Sequence, residues 1–371
     1  MDGKNKNRLA VWILTPNGSR LAQKIRHDLP DVDGFVSPRI RGASADWHTF
    51  QNLAEDVKQT FRHYTGHIFI MSTGIVVRVI APLIQHKTED PAVVVVDDAG
   101  RHAISLLSGH LGGGNDLARM VASVIGADPV ITTATDVNGV PAIDMLARQK
   151  NLFIENPEAI KFVNMALLGG RPVHIHDPFN LMQDCLPNSE VLPDAYLKRY
   201  IKESGQKPAN EMDAGVVIDD VKWEMPLQAL VLRPASLVAG IGCNRNTETR
   251  EIKTLLEEVL AANNLAGSSL KCIASIDVKS DEAGLIELAE LLKLPLVFFS
   301  PEQLNQVERI ENPSQIVEKH VGVKSVCEAA AILAAQNGTL IVPKHTTRNA
   351  TVAIARIGCI SSGSVRGTPS I

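Results

Sequence analysis

Several features that would narrow the function are scarce in this chain of 371 residues. Its five cysteines lie far apart and form no C-x-x-C pair, which argues against a disulfide framework or a zinc knuckle and predicts a cytoplasmic location. Aromatic residues make up 4% of the chain, so few side chains could stack on nucleobases. No apolar run approaches the length of a membrane span, and the polar segment 1–8 predicts no secretory signal.

An excess of positive charge is also lacking. The net charge of −4 provides no basic field for nucleic acid or an anionic membrane. A hydrophobic content of 45% with 21% charged residues is ordinary for a globular enzyme, and the length suffices for two or three domains. Short apolar strands alternate with helical patterns through most of the chain, which is typical of βαβ units.

This alternation predicts two α/β domains with mainly parallel sheets, joined by a smaller middle domain. The middle domain is expected where the pattern loosens, since segments 177–193 and 204–213 are rich in Pro, Asn, Gly and charge and predict mobile loops. The predicted boundaries are 1–148, 149–232 and 233–356, followed by a flexible tail at 357–371.

The most informative stretch runs from Ser105 to Asp136. Its first part, S-G-H-L-G-G-G-N-D at 108–116, follows an apolar strand and precedes an amphipathic helix. Glycines let backbone amides approach an anion, a helix N-terminus favours negative charge, and His110 can titrate near neutral pH. We expect an anion-binding loop at the carboxyl end of a strand. The alternative is a plain turn with Asn115 or Asp116 as the helix N-cap.

The spacing of these glycines argues against nucleotide binding. It matches neither G-x-G-x-x-G nor the P-loop pattern. It also lacks the G-x-S-x-G context of a nucleophilic serine, so Ser108 is expected to be a turn residue.

Polar residues follow two further apolar strands. The run 132–136, T-T-A-T-D, offers three hydroxyls and a carboxylate to a substrate or a catalytic water, although a capping turn is the alternative. Asp97 and Asp98 end the β-branched strand 92–96, which is expected to be a buried parallel strand. One of these carboxylates could orient His110, and the alternative is an acidic turn.

A second glycine-bearing turn spans 240–247. Its amides and Arg245 suit a carboxylate, whereas a lone cysteine such as Cys243 is usually structural. Lys344 follows a predicted strand and adds positive charge, with a solvated loop as the alternative. His174 and His176 alternate along one strand without a third ligand, so no metal site is predicted.

Together these residues resemble the cobalt-precorrin-5A hydrolases of the anaerobic cobalamin pathway, over about half of the chain and in the same order. The N-terminal residues that carry the resemblance are Gly74 to Arg78, Lys87, Asp90 to Val93, Asp97, Gly100, Leu107 to His110, Gly113 to Asn115 and Thr132 to Asp136. The C-terminal ones are Gly240 to Cys243, Arg245, Val326 to Ala330, Lys344 and Thr351.

The resemblance implies a reaction and a substrate. The δ-lactone on ring A of cobalt-precorrin-5A is opened by water and acetaldehyde is lost, which gives cobalt-precorrin-5B. The substrate is an anionic cobalt tetrapyrrole with acetate and propionate arms, so cobalt enters with the substrate and no cofactor of the enzyme's own is expected. Neither nucleic acid nor membrane is an expected partner, whereas a homodimer and hand-over contacts with neighbouring pathway enzymes stay open.

Lactone hydrolysis needs a water, a base and donors for the oxyanion. We therefore expect His110 to be the base, and the amides of 109–115 with Thr133 or Thr135 to be the donors. The turn 240–247 is expected to form the other half of the site. The predicted catalytic residues are His110, Thr133, Thr135, Asp136 and Asp97. The predicted substrate-binding residues are Ser108, Gly109, Gly112, Gly113, Asn115, Lys87, Gly242, Cys243, Arg245 and Lys344.

Two other functions fit the same residues. A carrier for corrinoid intermediates would have the same pockets but would release no acetaldehyde from the substrate. A methyltransferase acting on the same macrocycle would need a site for S-adenosylmethionine, and no convincing glycine fingerprint for one is found.

Overall fold

The computed structural model is a mixed α/β protein with three sheets in which most strand pairs are parallel, which confirms the predicted fold class. It divides into two compact units, 1–145 and 146–371. No helix in the described part of the chain is long and apolar enough to cross a membrane. The structure describes residues 8–29, 31–41, 44–86, 89–110, 112–182, 184–186, 189–192, 197–198, 201, 214–307, 310–312, 323 and 325–358.

The N-terminal unit is built on a seven-stranded sheet in the order β3-β2-β1-β4-β5-β6-β7. Its strands are β1 (Leu9–Ile13), β2 (Val32–Val36), β3 (His48–Thr49), β4 (Gly66–Ile70), β5 (Ala92–Val96), β6 (His102–Leu107) and β7 (Asp128–Val130). Its helices are α1 (Pro16–Asp28), α2 (Leu53–Thr60), α3 (Thr73–Ile80), α4 (Gly114–Ile125), α5 (Ala134–Val137) and α6 (Ile143–Gln149), with a 3-10 turn at Ala81–Leu83.

Apolar side chains on both faces of this sheet are buried. Because side chains alternate along a strand, Val11 and Ile13 of β1 enter one core cluster while Ala10 and Trp12 enter the other. All five residues of β5 are buried, as its β-branched run predicts.

The partners of β5 differ in direction, and this changes the geometry of the unit. Strand β5 pairs in parallel with β4 but antiparallel with β6. The hairpin between them is closed by Asp97, whose carboxylate accepts hydrogen bonds from the amides of Ala99, Arg101 and His102, and by Gly100 at a φ of 68°. The expectation of a purely parallel environment for β5 is therefore wrong on one side.

The C-terminal unit begins with the middle domain, a five-stranded sheet in the order β10-β9-β11-β12-β8. Only the pair β12 and β8 is antiparallel among its described strands. Of the loops predicted to be mobile, 204–213 lies outside the described residues. The elements are β8 (Phe153–Ile154), α7 (Ile160–Leu168) after a 3-10 turn at Pro157–Ala159, β9 (Val173–His176), β10 (Ser189–Val191), β11 (Ala214–Ile218) and β12 (Ala229–Arg233).

The third sheet has the order β15-β14-β13-β17-β16. Strands β13, β14 and β15 pair in parallel, whereas β17 pairs antiparallel with both β13 and β16. Residues 359–371 of the predicted tail lie outside the described part. The elements are β13 (Leu237–Cys243), α8 (Thr249–Ala262), β14 (Leu270–Ile276), α9 (Ala283–Leu292), β15 (Leu296–Phe299), α10 (Pro301–Asn305), α11 (Val326–Ala334), β16 (Thr339–Thr346) and β17 (Ala350–Arg356), with 3-10 turns at Gly267–Ser269 and Asp277–Lys279.

Candidate active site

The glycine-rich loop joins β6 to α4 in the N-terminal unit. Ser108 has a φ of 55° and Gly113 a φ of 81°, so both residues adopt the left-handed conformation that favours glycine. Gly113 is the N-cap of α4, so neither Asn115 nor Asp116 caps the helix as the alternative interpretation of this loop required. A Cβ atom at Gly112 would lie 2.3 Å from Cβ of Ser108, so only glycine fits there.

Several amides of this loop are already used within the protein. The amide of Gly113 donates to the carbonyl of His110 at 2.8 Å, and those of Gly114 and Asn115 donate to Ser108 and Gly109 at 2.9 Å. Among the described residues, no acceptor is found for the backbone amides of Gly109, His110 and Gly112. Among the described amides of the loop, these three therefore stay candidate oxyanion donors, together with the predicted hydroxyls of Thr133 and Thr135.

His110 lies at the centre of a polar cluster, with 18% of its side chain exposed. Its Nε2 is 2.9 Å from Oδ2 of Asp136 and 3.0 Å from Oγ1 of Thr135. An ionised carboxylate can only accept, so Nε2 carries the proton. The lone pair of a neutral His110 is then on Nδ1, which faces Asp144 with 3.7 Å between Nδ1 and Oδ2.

Asp136 holds this tautomer in place. Its Oδ2 also accepts from Nδ2 of Asn115 at 3.0 Å, and its Oδ1 accepts from the guanidinium of Arg119. Burial tends to raise the pKa of Asp136, but the hydrogen bonds from Arg119 and His110 outweigh it and hold the pKa below its ordinary value. Asp136 is therefore ionised at neutral pH.

Asn115 ties the two loops together from a buried position. Its Nδ2 also donates to Oγ1 of Thr133 at 3.1 Å, and its Oδ1 accepts from Oγ of Ser105 at 2.7 Å. The carboxamide is thus fixed by Ser105 of β6 and by Thr133 after β7, and it positions Asp136 against His110.

Sheet topology explains why these residues meet. Strands β6 and β7 are parallel, so the loops that follow them lie at the same edge of the sheet and bring Thr133, Thr135 and Asp136 to His110. Because β6 is antiparallel to β5, the residue pairs run from Val93 with Leu107 to Val96 with Ala103.

Asp97 therefore lies at the opposite edge of the sheet from His110. Its carboxylate is engaged by the amides of its own turn, and those bonds outweigh partial burial and lower its pKa. The prediction that Asp97 orients His110 is wrong, because β6 reverses direction. Asp136 and Asp144 are the carboxylates next to the imidazole.

The structure adds little about two other predicted residues of this unit, Lys87 and Ser108. Lys87 lies outside the described residues. Ser108 is a turn residue whose Oγ is buried and has no hydrogen-bond partner in the described part.

The sequence analysis missed two residues of the His110 cluster. Arg119 lies one turn after Asn115 on the same face of α4, and the i, i+4 spacing could have indicated it. Asp144 is the other, and no sequence motif points to it.

A separate cavity of about 590 Å³ lies at the carboxyl end of β13 in the C-terminal unit. Four predicted substrate-binding residues line it, namely Gly242, Cys243, Arg245 and Lys344. Its wall includes the first turn of α11, which packs so tightly on β13 that a Cβ at Gly240 would lie 1.9 Å from the carbonyl oxygen of Cys327.

This cavity is cationic. Its described lining includes the basic residues Arg245, Lys279, Lys344 and Arg348 and no acidic residue. Arg245 is engaged by Asp281 and by the carbonyl of Val278, so it is less available to a carboxylate than the sequence suggested.

Lys344 is held by its surroundings. It lies within β16 and does not follow it, contrary to expectation, and its Nζ donates to the carbonyl of Asn312 at 2.7 Å. Its amide donates to the buried Glu328 at 2.9 Å, a residue the sequence did not suggest for a role of its own. Burial raises the pKa of Cys243 to about 11, so the thiolate is scarce at neutral pH.

Three family models match the chain in consecutive order. The model described as Cobalamin synthesis G N-terminal matches residues 55–136, Cobalamin biosynthesis central region matches 141–234, and Cobalamin synthesis G C-terminus matches 237–355. Fold and matches together define a cobalamin-biosynthesis protein with three α/β regions.

Individual relatives narrow the class. A cobalt-precorrin-5A hydrolase of Salmonella typhimurium is 40% identical over 337 residues, 90% of this chain and 93% of the relative. A protein of the same name from Priestia megaterium is 33% identical over 360 residues, 94% of each chain. A solved structure described as a proposed cobalamin biosynthesis protein G homologue from Sulfolobus solfataricus covers 95% of this chain and 98% of its own, at 21% identity and a TM-score of 0.37.

The chain belongs to the cobalt-precorrin-5A hydrolase family. The predicted family and its enzymatic class are confirmed. The prediction that the His110 cluster and the turn 240–247 form one site stays a prediction.

Proposed function

We propose that this protein hydrolyses the ring A δ-lactone of cobalt-precorrin-5A and releases acetaldehyde, giving cobalt-precorrin-5B. The relatives' names supply the substrate, and the His110 cluster supplies a site for the chemistry. The observation that carries the proposal is the pairing of His110 Nε2 with the ionised Asp136, because it leaves Nδ1 as a base.

The first step is acyl transfer to water. A water attacks the lactone carbonyl while His110 Nδ1 takes one of its protons, which forms the new C–O bond and an oxyanion. The unpaired amides of Gly109, His110 and Gly112 are the candidate donors to that oxyanion. When the intermediate collapses, the ester C–O bond breaks, the imidazolium returns its proton to the leaving oxygen, and a carboxylic acid and a hydroxyl remain.

The second step is a retro-aldol cleavage of the two-carbon unit. A base removes the proton of the new hydroxyl, the C=O bond of acetaldehyde forms, and the C–C bond to the macrocycle breaks. The electron pair passes into the macrocycle, which then takes up a proton. The enzyme needs no nucleophilic side chain for either step, in agreement with the half-buried, protonated thiol of Cys243.

The cationic cavity of the C-terminal unit is proposed to bind carboxylate arms of the substrate. Arg348 is exposed and forms no salt bridge with a described residue, although its charge helps to lower the pKa of Glu251. Lys344 is held in place from two sides. Guanidinium and ammonium groups both bind carboxylates, the former in bidentate geometry.

Further features of the protein remain part of the proposal. We propose that it acts in the cytoplasm with no cofactor of its own, because cobalt arrives within the substrate. A homodimer and hand-over contacts with neighbouring pathway enzymes are also proposed.

The test is turnover of purified cobalt-precorrin-5A, with acetaldehyde measured through NADH oxidation by alcohol dehydrogenase. We expect His110→Gln to lower kcat by about 10²- to 10⁴-fold, the usual range for a lost general base. His102→Gln is the matched control, since His102 is exposed at the far end of β6. Wild-type turnover by His110→Gln refutes the base assignment, and binding of substrate without acetaldehyde indicates a carrier.

A further inference from the structure

The side chain of Asp144, in the first turn of α6, is 6% exposed and lies against the imidazole of His110. Its Oδ2 is 3.7 Å from His110 Nδ1, which is too long for a direct hydrogen bond. Its Oδ1 is buried and has no hydrogen-bond partner among the described residues. A buried carboxylate oxygen without a donor is rare in proteins and indicates a missing partner.

The contacts of the imidazole ring show which atoms a water beside Asp144 would bridge, namely His110 Nδ1 and Asp144 Oδ2. His110 Nε2 is occupied by Asp136 and Thr135, so Nδ1 is the ring nitrogen left for chemistry, and Asp144 is the group that faces it. One water can lie about 2.8 Å from each of two atoms separated by this gap. Such a water would donate one hydrogen to Nδ1 and the other to the carboxylate.

We propose that Asp144 is a catalytic residue that holds the attacking water against His110. This inference rests on the proposed function and deepens it. With both hydrogens engaged, the water presents a lone pair to the lactone carbonyl. Its proton moves to Nδ1 as the C–O bond forms, and the resulting imidazolium lies between the carboxylates of Asp136 and Asp144.

The surrounding charges agree with this role. The charged groups around His110 in the described part are Asp136, Asp144 and Arg119, and Arg119 contacts Asp136 on the side away from the imidazole. Asp136 thus fixes the tautomer of His110, while Asp144 contacts the reacting water. The two carboxylates have different tasks, so their removal has different consequences.

The experiment compares Asp144→Asn and Asp144→Ala with Asp128→Asn, an exposed aspartate of β7 with no role in the site. We expect kcat for acetaldehyde release to fall about 100-fold in Asp144→Ala, because the water loses its acceptor, and less in Asp144→Asn, whose carboxamide oxygen still accepts from the water. KM and melting temperature should change little in both variants. Sodium formate should restore kcat of Asp144→Ala, since its carboxylate can fill the vacated space, whereas sodium chloride at the same ionic strength should not.

Two results would overturn the inference. One is wild-type kcat in the Asp144 variants, and the other is a loss of kcat in Asp144→Ala that formate does not restore, which indicates a structural role. A readout independent of turnover is the NMR nitrogen shift of His110 Nδ1, which should move in Asp144→Asn and stay fixed in Asp128→Asn; an unchanged shift also overturns it. If wild-type enzyme releases no acetaldehyde, the proposed function fails, but the nitrogen shift still shows whether Asp144 acts on His110 Nδ1.

Discussion

Replacing Asp136 by asparagine tests the electrostatic basis of the site. The carboxylate accepts from His110 and Asn115 through Oδ2 and from Arg119 through Oδ1. In Asp136→Asn the carboxamide oxygen must face His110 and Asn115, so its NH₂ group faces Arg119. That guanidinium is 47% exposed and can turn towards solvent, so the tautomer of His110 is retained while the negative charge is lost.

The expected effect follows from the hydrogen bond to His110, because the bond from Asn115 is the same before and during the reaction. A charged acceptor contributes about 1.5–3 kcal/mol per bond and a neutral one about 0.5–1.5, so the variant loses about 1 kcal/mol at this bond. This loss, realised when His110 becomes charged in the transition state, lowers kcat about fivefold.

The measurement is kcat and KM for acetaldehyde release. The control is Asp116→Asn, which removes a 60% exposed carboxylate that contacts the same Arg119 at 3.2 Å without touching His110. We expect the control to keep the wild-type kcat. Equal turnover by Asp136→Asn and wild type would refute the view that Asp136 stabilises the imidazolium.

Three further predictions concern the C-terminal unit. Gly240→Ala should lower the melting temperature, because overpacking against the Cys327 carbonyl costs about 1–3 kcal/mol or more. Gly267→Ala should not, because a Cβ there would make an ordinary contact, 3.8 Å from Cδ1 of Leu260. Glu328→Gln should cost about 1–3 kcal/mol at neutral pH, and its difference from wild type in melting temperature should shrink only below pH 4.5. Burial raises the pKa of Glu328, but four hydrogen bonds lower it by a larger amount, so the pKa in the folded protein lies below the ordinary value of 4.5. The stabilising charge is therefore complete above pH 4.5 and is lost as pH falls through the folded-state pKa. Cys243→Ser should keep the wild-type kcat in the acetaldehyde assay, and a large loss would revive a nucleophilic role for the thiol.

Much of the fold could be predicted from apolar periodicity, but strand direction could not. The β-branched run of β5 identifies a buried strand whichever way its neighbour points. The turn after it, D-D-A-G at 97–100, is a hairpin signal that could have indicated the antiparallel β6. The error at Asp97 follows from that one missed reversal.

The site could be predicted where it depends on strand ends and not where it depends on helix packing. His110, Thr135 and Asp136 follow β6 and β7 directly, so two parallel strands suffice to bring them together. Asp144 reaches His110 only through the packing of α6, and a lone aspartate in a first helical turn is common for its interaction with the helix dipole. Its contact is a property of tertiary structure alone.

The antiparallel strand β6 also separates the hairpin at 97–101 from the loop that carries His110. Six residues of extended chain put about 20 Å between the hairpin at 97–101 and the loop that carries His110. In most doubly wound proteins the hairpin edge would hold the ligand. Here the His110 cluster lies at the opposite edge, so a fluorophore or an affinity tag attached at the hairpin would lie about 20 Å from the proposed reacting groups.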